Sequence, residues 1–162
     1  MRGRRTGPRP GAIRGISRRI MRARKLLESR ALPLLLFLAG LGLRLWHVSS
    51  LAALPSFDHP YEGLDAELYV RLARAVAGGD LLPSGLLDAA PLYAYWLALF
   101  VRAFGDPFLA PRLAQAVLGA AVAPLLFAAG RRSGGRAVGL LAGLAAAIFP
   151  PFLLYEGTLQ SA

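Results

Sequence analysis

PLYAYWLALFVRAFG, residues 91 to 105, is apolar nearly all round, and whether it crosses a membrane or lies on one decides the path of the chain on both sides of it. Hydropathy alone reads it as a span. Two features oppose that reading. The stretch is 15 residues long, whereas crossing the hydrocarbon takes about 20. It also carries Tyr93, Tyr95, Trp96, Phe100 and Phe104, rings that prefer the interface between lipid and water.

Working outward, Ala110 to Gly130 and Arg136 to Tyr155 are long enough to cross, and Arg131-Arg132-Ser133-Gly134-Gly135-Arg136 joins them as a tight basic turn. Upstream, Leu32 to about Leu51 is a further span, opened by Pro33 where a missing N–H does no harm. Residues 1–30 hold eleven Lys or Arg and one acid, Glu28. Basic flanks stay in the cytoplasm. If 91–105 lies in the outer interface, both basic segments are inside, and the acid-bearing loop and Glu156 share the outer face. If it crosses, the basic turn is outside. The expected fold is therefore all-α and membrane-integral: three transmembrane helices (about 32–51, 110–130 and 136–155) and an outer loop, 52–109, carrying two juxtamembrane helices at 64–77 and 91–105.

Composition agrees. Of 162 residues 56% are hydrophobic and the mean hydropathy is +0.49, too apolar for an ordinary soluble domain. With no Cys and two His, His47 and His59, a disulfide framework, a thiolate metal site and a His-based zinc site are excluded or improbable; no metal is indicated. The net charge of +10 belongs to the N-terminal 30 residues, since the rest holds eight Arg against eight acids. Such an arm suits nucleic acid, but beside an apolar run it is the orienting flank of a first span. It is expected to be a disordered cytoplasmic tail, with no nucleic-acid partner.

The acids cluster in PYEGLDAELYVRLARAVAGG, Pro60 to Gly79. Read as a helix from Leu64, it puts Leu64, Leu68, Leu72, Ala75 and Val76 on one face and Glu67, Arg71 and Arg74 opposite. Asp65 falls angularly between Leu72 and Val76, on the apolar face. Two accounts stand: it caps the first turn, or it is used by the chemistry, because an idle acid there is costly. Arg44 interrupts the first span near its far end. It either snorkels to the interface beside Trp46 and His47 or meets a lipid phosphate.

The order of parts resembles the N-terminal region of family 39 glycosyltransferases, membrane enzymes of the GT-C fold that include protein O-mannosyltransferases and aminoarabinose transferases. The resemblance lies in the basic N-terminus and single span, an acid opening a helix that continues L-Y-x-R-L-A-R-x-x-x-x-G-D, then A-P-L-Y-x-Y-W-L and a G-R-R-x-G-G turn. It implies a polyprenyl-phosphate sugar donor attacked by a hydroxyl of a lipid or protein acceptor on the outer face of a membrane, here a bacterial inner membrane. It also implies a catalytic Asp in the first loop, matched by Asp65. The family often has Glu directly after that Asp; here Ala66 intervenes before Glu67, which reads instead as a salt-bridge partner of Arg71 and Arg74. A second acid near the outer end of the third span is matched by Glu156, which reads equally as a residue ending its helix. Arg44 or Arg71 would supply the charge that a leaving phosphate needs, with Arg74 and Arg102 also available. Family members are longer, so the 162 residues are expected to be an N-terminal piece that does not turn over by itself.

The competing reading is a non-catalytic membrane subunit whose acidic outer loop is a docking surface and whose small residues only pack helices; a transporter piece is a third, with no central acid in any span to support it. Topology separates these. A single Cys at Ser133 is expected to react with an impermeant maleimide only from the cytoplasmic side, and labelling from outside would mean that 91–105 is a fourth crossing.

Overall fold

The computed structural model describes residues 31–59, 61–105, 107–157 and 159. The basic tail, 1–30, lies outside the described residues. The expected all-α architecture holds, with no strand among the described residues. The elements are α1 (Leu32–Ala52), a 3-10 turn (Pro55–Phe57), α2 (Asp65–Ala77), α3 (Pro91–Phe104), α4 (Leu109–Ile148) and α5 (Pro150–Gly157).

α4 is two helices. At 40 residues it would reach about 60 Å if straight, twice the hydrocarbon thickness of a bilayer. The axis reverses at Gly134 and Gly135, and Gly135 takes φ 84° with ψ −176°, a region open only to glycine. Beyond the reversal the two limbs run with their backbones in contact. A Cβ on Gly139 would lie 2.6 Å from the Phe127 carbonyl oxygen and 2.9 Å from the Arg131 nitrogen. One on Gly143 would meet Leu36 Cδ1 at 2.8 Å and the Ala123 oxygen at 3.1 Å. Small residues at these places admit main chain against main chain, which is how helices associate where burial from lipid yields no hydrophobic gain.

α1 supplies the first limb of the bundle in chain order, and the two halves of α4 are the second and third. The buried residues of α1 are Leu36, Gly40, Arg44 and Val48, one every fourth position and so a single stripe. That stripe packs on α4, with Leu36, Ala123, Phe127, Ala146 and Ala147 forming one core. The segment read as a span over 136–155 is in two pieces: Phe149 leaves the helix with ψ 113°, and α5 restarts at Pro150.

A second core sits at one end of this bundle. α2 packs on α3 through Tyr69, Leu72, Ala73, Val76, Ala94 and Leu97, joined by Leu86 from the connecting loop and Leu159 from beyond α5. α3, with 14 residues, is about 21 Å long, short of a crossing. The buried face of α2 runs along Tyr69, Leu72, Ala73 and Val76, with Val70 beside it. The face read from the leucines is thus rotated: Leu64 is exposed and Leu68 half-buried, and Tyr69 takes the place because its hydroxyl finds a donor in the Ala90 N–H at 3.1 Å. Since Leu159 reaches the α2–α3 core, the end of the third limb and the α2–α3 pair lie at the same end of the bundle, and the Gly134–Gly135 turn is at the other.

Gly139→Leu is expected to destabilise the protein by about 1–3 kcal/mol, the range of overpacking in a close-packed interior, measured as a fall in the midpoint of thermal unfolding in detergent. Leu141→Ala, on an exposed part of the same limb, is the control and is expected to change it little.

Candidate functional site

The end of the bundle that carries α2, α3 and α5 holds the acids, a buried polar cluster and an apolar groove. Asp65 is the first residue of α2, after Leu64 as N-cap. The N-cap Leu64 offers no side-chain bond, and the Asp65 side chain is exposed. It keeps the angular position inferred for it, in line with Leu72 and Val76, but stands one turn ahead of the part of that face that α3 covers. The carboxylate is therefore presented to solvent, favoured there by the helix dipole.

Glu67 turns away from the role read for it. Its Oε2 accepts the Gly63 N–H at 3.2 Å, a back-bond from the first turn like that of a capping box, and no ion pair with Arg71 or Arg74 is present among the described residues. Arg74 lies over the Phe108 ring instead, 5.9 Å from its centroid. Arg71 is exposed, and six residues of helix put it about 120° round from Asp65, so the two are not brought together.

Arg44 neither snorkels nor faces a lipid headgroup. It is 1% exposed, and its Nη1 donates to the carbonyls of Gly40 and Ala147, each at 3.3 Å. The snorkelling rule assumes that only lipid surrounds the stem; here two other limbs of the bundle do. The backbone of Glu156 belongs to α5, at the same end as Asp65, and its side chain lies outside the described residues.

Two side chains absent from the sequence reading shape this end. Arg112, 5% exposed, stacks on the Phe57 ring at 4.0 Å and donates to the carbonyls of Phe57 (3.3 Å) and Phe108 (3.0 Å). It ties the loop after α1 to the start of α4. Its signal was an arginine in the first turn of an apolar helix. Gln115 donates from Nε2 to the Tyr93 hydroxyl at 3.1 Å, and its buried Oε1 has no partner among the described residues. Tyr93 meets Tyr69 edge to face, 5.0 Å between centroids. Burial pushes the Tyr93 phenol above its ordinary pKa of 10.0, against the lowering effects of the Gln115 hydrogen bond and the Arg112 charge.

Between the end of α2, α3, the first limb of α4 and α5 runs a groove of about 900 Å³. Its walls are apolar, with Leu92, Trp96, Leu99, Leu118, Phe152 and Tyr155, and its polar members are Tyr93, Tyr95, Arg102 and Gln115. Neither Asp65, Arg44 nor Arg71 lines it. The groove is suited to an apolar chain and the exposed acid to proton transfer, so no single cavity holds both. Of the four arginines weighed for a phosphate, Arg102 is the one on the groove; its Nη1 also reaches the Ala77 carbonyl at 3.5 Å. No group of three or more His, Cys, Asp or Glu side chains able to hold a metal occurs among the described residues.

A group whose folded pKa is raised contributes stability that is full below its unfolded pKa and lost as pH rises through the folded value. Tyr93→Phe is therefore expected to cost about 1 kcal/mol near pH 8, where the Gln115 bond is lost, and less above pH 10, where the wild type must hold a buried phenol against ionisation. Thermal unfolding at the two pH values checks this.

No curated protein and no solved structure matches the chain. Residues 88–160, which begin in the loop before α3, match the family described as dolichyl-phosphate-mannose-protein mannosyltransferase, and there the chain is similar to membrane glycosyltransferases of the mannosyltransferase type and of the GT-C class, as the order of its parts implies.

Proposed function

We propose that the protein moves a sugar from a polyprenyl-phosphate donor to a hydroxyl of a lipid or protein acceptor, at the extracytoplasmic face of a bacterial inner membrane with the N-terminus in the cytoplasm. The observation that carries this reading is that one end of the bundle presents both the solvent-facing Asp65 carboxylate and, apart from it, an apolar groove of about 900 Å³. The family match supplies the reaction class.

In the proposed step the acceptor oxygen attacks the anomeric carbon of the donor. A new glycosidic bond forms as the bond from that carbon to the phosphate oxygen breaks, and polyprenyl phosphate leaves. Asp65 takes the acceptor proton, which raises the nucleophilicity of a hydroxyl that is weak by itself. Its exposure at the start of α2 leaves both oxygens free to accept. The negative charge on the departing phosphate calls for cationic donors; Arg102 on the groove and Arg71 on α2 are the exposed candidates, and Arg44 is spent on main-chain carbonyls. Glu156 is assigned the second acid on the strength of its segment, which ends at the same end of the bundle. The groove takes the apolar part of the donor.

Asp65→Asn tests this in the full-length protein in membranes. General-base catalysis is worth about 10²–10⁴-fold, so transfer is expected to fall by that factor. Because Asp65 is exposed, the thermal midpoint is expected to stay within about 1 °C of wild type. Retained transfer would sink the proposal; loss of a partner complex with no transfer in the wild type would favour the docking reading.

A further inference from the structure

The residues after α4 are Phe149, Pro150 and Pro151. A helical carbonyl accepts from the N–H four residues on, or three residues on in a 3-10 turn. For Ala147 those positions are Pro151 and Pro150, and neither has an N–H. Ala146 still has Phe149 three residues on, so the deficit falls on one carbonyl. Ala147 is 3% exposed, which leaves no ready access for water to take the place of a donor. The donor that reaches it is Arg44 Nη1, 3.3 Å away and 103 residues earlier in the chain. Gly40 makes the approach possible, since a Cβ there would sit 3.3 Å from the same nitrogen.

The break this serves sets the direction of α5. Phe149 departs from helical geometry, and Phe152 and Tyr155, which lie beyond it, wall the groove. α5 packs against α1 as well as α4, so the guanidinium lies where three segments meet. We propose that Arg44 is a positioning residue: it satisfies the carbonyl that Pro151 leaves without a donor, and so holds the broken third limb in the direction that lets α5 close the groove. The break follows from the geometry of the bundle; its bearing on sugar transfer rests on the function proposed above.

The test is a double-mutant cycle on the full-length protein in lipid nanodiscs. Replacing both prolines, Pro150→Ala/Pro151→Ala, frees Phe149 from the pre-proline constraint and returns an N–H to Ala147, which makes the Arg44 bond to that carbonyl redundant. Arg44→Met is expected to lower the thermal midpoint by about 5 °C in the otherwise native chain. In the Pro150→Ala/Pro151→Ala background it is expected to cost less than half as much, because the Ala147 carbonyl there has a donor of its own. An equal loss in both backgrounds would overturn the proposal. Should Arg44→Met fail to accumulate, recovery of the chain that adds Pro150→Ala/Pro151→Ala supports it and loss of both overturns it. Arg44→Lys, which keeps one donor, is expected to retain most of the wild-type midpoint. Direction is read separately, from nitroxides at Leu99 and Leu154, both exposed, in a chain with no native Cys. The wild-type and Arg44→Lys distance distributions are expected to overlap, and that of Arg44→Met, with both prolines in place, to shift or broaden. An Arg44→Met distribution that overlaps the wild type would refute the positioning role. None of these readouts needs glycosyl transfer, so failure of the transferase reading would leave them standing.

Discussion

The approach of Gly139 to the Phe127 carbonyl is the contact on which the rest of the molecule depends. It is a contact between backbones, with 2.6 Å from the place a Cβ would take to the oxygen, and it brings two limbs of α4 close enough for α1 to lie across both. In lipid the usual driving force for packing side chains is absent, so proximity has to come from shape. Glycine and alanine supply it along the whole seam, at Ala120, Ala123, Gly139, Gly143, Ala146 and Ala147. The stripe of α1 that meets this seam carries Gly40 and, one turn on, an arginine.

The opposite solution is used at the end of the bundle. There α2 and α3 hold together through Tyr69, Leu72, Leu97 and their neighbours, large side chains in a conventional core, and polar atoms are placed by hydrogen bonds from main chain to phenol and from amide to phenol. This cap leaves two surfaces open. One is apolar and takes its walls from four helices; the other is the first turn of α2, where a carboxylate stands clear of the core. Separation of the two suits a substrate with a long apolar part and a polar reacting part.

Much of this was legible in the residues because it is local. Gly78-Gly79 ends α2, Pro91 begins α3 and Gly105 ends it, and Gly134-Gly135 reverses the chain; each follows from a backbone preference. The angular place of Asp65 was legible for the same reason. What could not be read was any feature set by a partner far along the chain. Tyr69 displaced the leucines from the centre of the α2 face because Ala90, across a loop, donates to its hydroxyl. Glu67 took a backbone N–H four residues back in place of an arginine. Arg44 is buried because its acceptor comes from the third limb, and Arg112 because Phe57 offers a ring and a carbonyl.

Leu159 is 1% exposed, and the core that buries it belongs to α2 and α3. During synthesis those two helices leave the ribosome well before Leu159 does, since the whole of α4 and α5 is made in between. The α2–α3 pair therefore spends that interval with an apolar socket open, and the socket closes only when the third limb has been threaded and its end delivered to the same side. Completion of the cap thus reports that all three limbs are in place, and a chain with a misplaced limb retains an unfilled hollow for quality control to find.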